Sequence, residues 1–199
     1  MSSGIRNIEI HPDFLYHRVT ALTIDKIILD GRIYAKKYIK DFVTEDRGKN
    51  TNNGNRYISC CKYRPEFAHS SSSSYREFIQ GQYAFVIENV DAIETQFVEH
   101  DFRYYRMLSR LPFGKRYSSW CDEYQVKDYI SLDQVIGIKI PDRKCSYSRY
   151  CMSYPKETRG IDSFLEKMES VGCNFPFIDV EEKKLIEKDK IKEYIKEMF

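Results

Sequence analysis

Two polar residues at the ends of predicted strands are the best placed in this chain to do chemistry. Glu123 follows Asp122 at the start of an alternating segment that runs to Lys127, and His17 stands at the end of an apolar and aromatic run that begins at Phe14. Strand ends hold side chains on a rigid scaffold, so a carboxylate there is suited to general acid–base work or to stabilising a developing positive charge. We therefore take the acidic pair Asp122-Glu123 as the place where a catalytic carboxylate is to be sought.

A strand followed by a short helix is expected to position His17. Residues 14–20 have the apolar and aromatic pattern of a strand, and Thr20 or Thr23 is a suitable N-cap for the helix that follows. The apolar stripe of this helix consists of Leu22, Ile24, Ile27, Ile28 and Leu29. Gly31 comes next, in the position where a glycine commonly ends a helix. The sequence thus predicts a strand, a helix and a glycine stop.

The remaining segments divide into strands in the middle of the chain and helices towards its end. Strands are predicted at 57–61, 83–90, 123–127 and 134–140, with a short helix or turn at 91–94. Residues 36–55 and 65–75 have the polar composition of loops. One later helix is predicted from the stripe Ile161, Phe164, Leu165 and Met168, and the last helix from Leu185, Ile186, Ile191, Ile195 and Met198. This distribution indicates the α+β class.

Length and composition predict one globular domain over residues 1–199. The chain has 199 residues and a hydrophobic fraction of 42%, which is enough to bury one core. The core is expected at about 14–141, with a helical C-terminal extension at about 158–199. No internal repeat and no second domain is evident in the sequence.

Charge and cysteine content argue against several classes of protein. The formal net charge of +2 is too small by itself to imply a nucleic acid or a membrane as partner. No apolar stretch approaches the roughly 20 residues that span a bilayer, and residues 1–6 lack the pattern of a signal peptide. The six cysteines contain no CxxC spacing, so free thiols are expected and a zinc site is not. We expect a cytoplasmic protein without a metal.

Short motifs follow one another in a characteristic order between residues 14 and 141. Tyr16-His17 ends a strand, Ile28-Leu29-Asp30-Gly31 closes a helix, and Ser59 lies in the next strand. Asp122-Glu123-Tyr124-Gln125-Val126 then begins a strand that precedes Leu132-Asp133-Gln134-Val135-Ile136-Gly137-Ile138. This order resembles bacterial and phage ADP-ribosyltransferase-like domains, and the acidic motif is similar to that of the DNA-modifying DarT group.

The resemblance implies a fold, an activity and a substrate. The fold would have two small mixed or antiparallel β-sheets that form a cleft, with flanking helices. The activity would be NAD-dependent mono-ADP-ribosyl transfer to a protein or nucleic-acid acceptor, with NAD as substrate. Such a protein would be a toxin, a phage protein or an effector, acting in the cytoplasm of the producing cell or of a target cell.

The resemblance also suggests a role for each candidate residue. Cleavage of the nicotinamide–ribose bond passes through an oxocarbenium-like state, which Glu123 would stabilise while it binds the ribose. His17 would donate a hydrogen bond to the adenosine ribose, and Arg18 would bind the pyrophosphate. Ser59 would support Glu123 from a neighbouring strand. Either of two aromatic residues would stack on the nicotinamide, namely Tyr63 or Tyr75.

Each of these residues also has an ordinary structural explanation. His17 would be a hydrogen-bonded structural histidine, Glu123 a solvent-facing strand residue and Ser59 a core residue beside two cysteines. The chain carries Arg18 where the family often has glycine, and Asp122 at the first acidic position. A non-catalytic nucleic-acid or protein binding module on the same fold is therefore the alternative function, and NAD hydrolysis without transfer is a third.

Residues 102–120 contain basic side chains between aromatic ones and no acid. Arg103, Arg106 and Arg110 are the basic positions that would contact a macromolecular acceptor, since arginines bind phosphates and the aromatic side chains between them stack on bases. In the simpler interpretation, the aromatic and leucine side chains pack inward and the arginines form a solvated face. We favour the simpler interpretation, because the overall charge is far below that of most nucleic-acid binders.

Overall fold

The protein combines three helices with two β-sheets in the part of the chain that the computed structural model describes, residues 4–35, 38–39, 57–63, 82–96, 122–143 and 160–198. The strands are β1 (Ile5–Asn7), β2 (Leu15–Arg18), β3 (Arg32–Tyr34), β4 (Tyr57–Lys62), β5 (Ala84–Ile87), β6 (Ile93–Gln96), β7 (Asp122–Lys127), β8 (Tyr129–Ser131), β9 (Val135–Lys139), β10 (Phe177–Asp179) and β11 (Lys184–Ile186). The helices are α1 (Ile24–Asp30), α2 (Ile161–Ser170) and α3 (Ile191–Met198). The prediction of an α+β protein is confirmed.

Nine strands form one sheet in the order β1-β11-β10-β9-β5-β2-β4-β7-β6, and β3 pairs with β8 in a second sheet of two strands. Every ladder is antiparallel except the one between β9 and β10, which is parallel. The expected pair of small sheets is therefore corrected to one large sheet and one small one. The reason is that β2 and β4 are paired, which joins strands that would otherwise belong to separate sheets.

The ladder between β2 and β4 is short. It consists of the pairs Leu15–Lys62 and Tyr16–Cys61. Beyond these pairs β2 continues along β5 through His17 and Arg18, while β4 continues along β7. The ladder described between β2 and β4 ends at the pair Tyr16–Cys61. We call this end of the β2–β4 ladder the split of the sheet.

Both faces of the central strands are covered. All four residues of β5 are buried, which is expected when apolar groups pack against each face. On one face Phe85 and Ile87 belong to the large core cluster, which includes residues of all three helices. On the other face Ala84 and Val86 belong to a smaller cluster together with Tyr16. The sheet is therefore a central layer whose helices all pack into one core.

Local sequence signals explain the end of α1 and the buried face of α2. Gly31 has a φ of 66°, a left-handed conformation that favours glycine, and its N–H donates to the Ile28 carbonyl at 3.1 Å. The predicted glycine stop is confirmed. The buried residues of α2 are the four of the predicted stripe, Ile161, Phe164, Leu165 and Met168. Amphipathic spacing was sufficient here because the helix has one face on the core.

Two predicted elements have a different structure. Leu185 and Ile186 were assigned to the last helix, but they lie in β11 between β1 and β10, so the helix begins only at Ile191. The C-terminal extension is accordingly not purely helical, since β10 and β11 extend the main sheet. The predicted helix or turn at 91–94 is also wrong, because Ile93–Gln96 pairs with β7 as β6. In both cases distant strand partners decide the conformation.

No helix of the described residues is long and apolar enough to cross a membrane.

Candidate functional site

The three strands that carry the predicted site residues are neighbours in the large sheet. His17 and Arg18 lie in β2, Ser59 lies in β4 and Glu123 lies in β7, and the sheet order places β4 between the other two. These strands are far apart in the sequence. Their adjacency brings the motifs behind the resemblance into one region of the fold. Four further candidates, Tyr75, Arg103, Arg106 and Arg110, lie outside the described residues.

The strand register fixes how these positions are related. Cys61 is the Cα partner of Tyr16 on one side and of Glu123 on the other, so position 123 is level with Tyr16 at the base of the split. Ser59 pairs with Gln125, two residues farther along β4. Tyr16, Cys61 and Glu123 are level with one another across the three strands. His17 is the residue after Tyr16 and pairs with Phe85 of β5, so it is one residue away from that level. Because successive strand residues alternate between faces, the backbone register places positions 17 and 123 in opposite phases.

The residues around Glu123 anchor β7 firmly. Tyr124 and Val126 are buried in the large core, where Ile58 and Cys60 of β4 also lie. Lys62 places its ammonium group 5.0 Å from the centre of the Tyr124 ring. Glu123 is the second residue of a strand in which Tyr124 and Val126 are held by core packing.

Helix α1 and the small sheet brace the far end of β7. The Ala35 N–H donates to the Asp128 carbonyl at 2.9 Å, and the Leu132 N–H donates to the Gly31 carbonyl at 3.1 Å. The Tyr38 hydroxyl adds a hydrogen bond to the Asp128 carboxylate at 2.7 Å. The glycine that ends α1 and the segment beginning at Leu132 are two of the motifs on which the resemblance rests. In the fold they are in direct contact.

His17 and Arg18 are partly buried at the side of the split formed by β2. The chain leaves β2 along β5, because the Val19 N–H donates to the Tyr83 carbonyl at 3.0 Å. Val19 itself is buried in the large core. Both residues thus lie at the end of a strand, and Val19, the next residue, holds that end in place. Arg18 supplies a positive charge there.

A buried polar cluster near the split was missed by the sequence analysis. The Lys139 ammonium group lies 2.6 Å from one carboxylate oxygen of Asp142, and the two residues are 0% and 5% exposed. The Tyr63 hydroxyl donates to the other oxygen at 3.1 Å. Burial raises the pKa of the Asp142 carboxyl to about 6, against the opposing effect of Lys139. The available signal was a lysine inside the apolar run 135–140 with an aspartate three residues later.

Tyr16 lies beside this cluster with its ring centre 6.0 Å from that of Tyr63. Its hydroxyl is buried and has no hydrogen-bond partner among the described residues, and burial raises its pKa. The Cys61 thiol lies 3.9 Å from the Tyr16 carbonyl oxygen. Tyr63, predicted to stack on nicotinamide, is therefore held between Asp142, Tyr16 and the Lys139 ammonium group at 5.9 Å. Its stacking role stays a prediction.

The strands that carry the predicted site residues meet in one region of the large sheet. Arg18 and His17 stand on one side of the split, and the strands bearing Ser59 and Glu123 form the other. No three His, Cys, Asp or Glu residues of the described segments are grouped as they would be around a metal ion. Comparisons with protein-family models, with curated proteins and with solved structures found no match.

Proposed function

We propose that the protein is an NAD-dependent mono-ADP-ribosyltransferase. The observation that supports this proposal is the adjacency of β2, β4 and β7 in the large sheet. The strands marked by the Tyr-His, Ser and Asp-Glu motifs are distant in the sequence, and nothing in their local composition requires them to be neighbours. If the three motifs form one active site, the strands that carry them must be neighbours.

In the proposed reaction, each side of the split has its own task. Arg18 binds the pyrophosphate of NAD with charge-assisted hydrogen bonds, and His17 donates a hydrogen bond to the adenosine ribose. The Glu123 carboxylate stabilises the positive charge that develops on the nicotinamide ribose as the glycosidic bond breaks. Ser59 supports Glu123 from β4. Nicotinamide leaves with the bonding electron pair, a nucleophile of the acceptor attacks the same carbon, and the Glu123 carboxylate takes up the proton that the nucleophile releases.

The acceptor in this proposal is a macromolecule, either a protein or a nucleic acid. Its contacts would come from Arg103, Arg106 and Arg110, which lie outside the described residues. The activity suits a toxin, a phage protein or an effector that acts in the cytoplasm. The products separate transfer from simple hydrolysis, since hydrolysis releases free ADP-ribose as the only ribosyl product.

The test compares two neighbouring carboxylates. Wild type, Glu123→Gln and Asp122→Asn are incubated with labelled NAD and cell lysate, and label transfer and nicotinamide release are measured. Glu123→Gln should lose at least about 100-fold in rate, the scale found when one stabilising group of a transition state is removed. Asp122→Asn removes the same charge one residue away and should retain activity. Equal rates for wild type and Glu123→Gln would refute the proposal.

A non-catalytic binding module is the second candidate, and one observation favours it. Positions 17 and 123 stand in opposite phases of the strand register, whereas a shared catalytic site requires their side chains to reach one ligand. In this case charge reversal at Arg106 and Arg110 should abolish binding of a nucleic acid or protein, while Glu123→Gln should leave it unchanged. The opposite pattern would reject the binding module.

A further inference from the structure

The hydroxyl group of Tyr16 is a buried polar group that finds no hydrogen-bond partner among the described residues. The Tyr16 side chain is fully buried in β2. A hydroxyl in that position has given up its hydrogen bonds to solvent, and folded proteins rarely leave such a group unpaired. The Tyr16 hydroxyl therefore calls for a partner other than these side chains.

Asp142 is the neighbouring group that can accept a further hydrogen bond. One oxygen of its carboxylate receives Lys139 at 2.6 Å, and the other receives the Tyr63 hydroxyl at 3.1 Å. An ionised carboxylate has room for about four such bonds. The Tyr16 and Tyr63 ring centres are 6.0 Å apart, and the charge of Asp142 adds to the effects of burial and of Cys61 that raise the pKa of Tyr16. Tyr16 and Asp142 are thus close to each other without being directly bonded.

The strand pairing places Tyr16 and Lys139 on one face of the large sheet. Tyr16 pairs with Val86 of β5. Ala84, two residues before Val86, pairs with Lys139 of β9. Cα partners in neighbouring strands point to the same face, as do residues two apart in one strand. Between Tyr16 and the Lys139–Asp142 pair this face thus includes Ala84, which contributes a single methyl group.

We propose that one buried water molecule bridges the Tyr16 hydroxyl and the Asp142 carboxylate. The water accepts a hydrogen bond from Tyr16 and donates one to Asp142. Buried waters in proteins commonly join polar groups that would otherwise lack partners, and a polar contact that is close but not direct is where one is expected. The strand that carries His17 and Arg18 is thereby connected to the buried ion pair of Lys139 and Asp142. This water site does not depend on the proposed function.

A crystal structure of the full chain, at a resolution that shows ordered waters, tests the site directly. A water within hydrogen-bonding distance of both the Tyr16 hydroxyl and an Asp142 carboxylate oxygen is the expected result. A Tyr16 hydroxyl that bonds directly to a protein group, or that contacts only apolar atoms, would overturn the proposal. This measurement uses the wild-type protein, so it decides the matter even if a variant does not fold.

The variant Tyr16→Phe gives a test by sign, because it removes the hydroxyl and keeps the ring. With the water in place, the equilibrium constant of unfolding in urea should rise about 3- to 10-fold, as expected for one lost hydrogen bond. An unpaired hydroxyl predicts the opposite, since its removal takes away a buried polar group that has no partner. An unfolding constant that is unchanged or lower would therefore contradict the water site.

Tyr129→Phe is the control for the loss of a tyrosine hydroxyl as such. Tyr129 is 47% exposed and lies in the small sheet, where Arg32 is 4.4 Å from its ring centre and can stack equally on phenylalanine. This variant should leave the unfolding constant within about twofold of wild type, as is usual for an exposed position. Equal effects of Tyr16→Phe and Tyr129→Phe would count against the site.

The titration of Asp142, followed by carboxyl-carbon NMR, gives a second readout that packing alone would not move. Because the bridging water donates to the ionised carboxylate, its loss in Tyr16→Phe should move the titration midpoint of Asp142 to higher pH. Tyr129→Phe should leave this midpoint where it is in wild type. The same midpoint in Tyr16→Phe and wild type would show that no hydrogen-bonded link joins Tyr16 to Asp142.

Discussion

The Asp142 carboxyl group should make folding stability fall as the pH rises from about 4 to about 6. Its folded-state pKa is raised from 3.8 to about 6, mainly by burial and further by Glu181, against the effects of Lys139 and Tyr63. The folded state therefore keeps a proton at pH values where the unfolded chain has released it. This contribution to stability is complete below the unfolded pKa and is lost as the pH rises through the folded pKa.

The magnitude follows from the difference between the two pKa values. With about 1.4 kcal/mol for each tenfold change in proton affinity, the pKa of about 6 corresponds to about 3 kcal/mol of unfolding free energy. Above about pH 6 the effect is constant, because both states have then lost the proton. Asp142→Asn preserves the shape of the side chain and has no proton to release in this range.

Urea unfolding of wild type and Asp142→Asn between about pH 4 and about pH 7 measures the effect. The difference in unfolding free energy, wild type minus variant, should fall by about 3 kcal/mol across this range and then level off. Titrating groups that do not interact with Asp142 cancel in the difference. A difference that is flat, or that rises with pH, would show that the folded pKa of Asp142 is not raised, and a carboxyl NMR titration would confirm this.

Two further predictions concern packing and can be checked by denaturant unfolding. Gly137→Ala should lower the free energy of unfolding by about 1–3 kcal/mol, because the added methyl group would lie 2.8 Å from the Pro176 carbonyl oxygen. At Gly31 nothing lies within 4 Å of an added methyl group, so Gly31→Ala should cost only the strain of its positive φ, about 1 kcal/mol. Phe164→Ala should cost about 3–5 kcal/mol since this side chain is fully buried, whereas Leu29→Ser on the exposed face of α1 should change stability by less than about 0.5 kcal/mol. Similar losses for Phe164→Ala and Leu29→Ser would contradict the assignment of the core.

Elements with a complete local signal could be predicted from the sequence. Helix α1 ends at Gly31 as predicted, although Leu22 precedes the helix and both Leu22 and Leu29 of its predicted stripe are exposed. Helix α2 has one apolar stripe, and β4 and β7 have clear alternating or apolar runs. The candidate site could be predicted only as a list of positions. Their adjacency in the fold depends on strand pairing between distant segments, which no local pattern encodes.

Where the sequence misled, a distant partner outweighed local preference. Leu185 and Ile186 follow a lysine-rich stretch that is typical of a helix, yet they pair with β1 and β10 as a strand. The sequence analysis did not single out Lys139, which is fully buried in β9, where Asp142 compensates its charge. In both cases the deciding interaction comes from outside the local hydrophobic pattern.

The position of β1 has a consequence for the order of folding. In the described sheet β1 pairs with β11 alone, and the Glu187 N–H also donates to the Gly4 carbonyl at 2.8 Å. A chain emerging from the ribosome would thus have made residues 5–7 long before their partners at 184–186 exist. Until β10 and β11 are made, β9 is an edge of the described sheet, so nascent chains that end between β9 and residue 177 should aggregate more readily than the full chain.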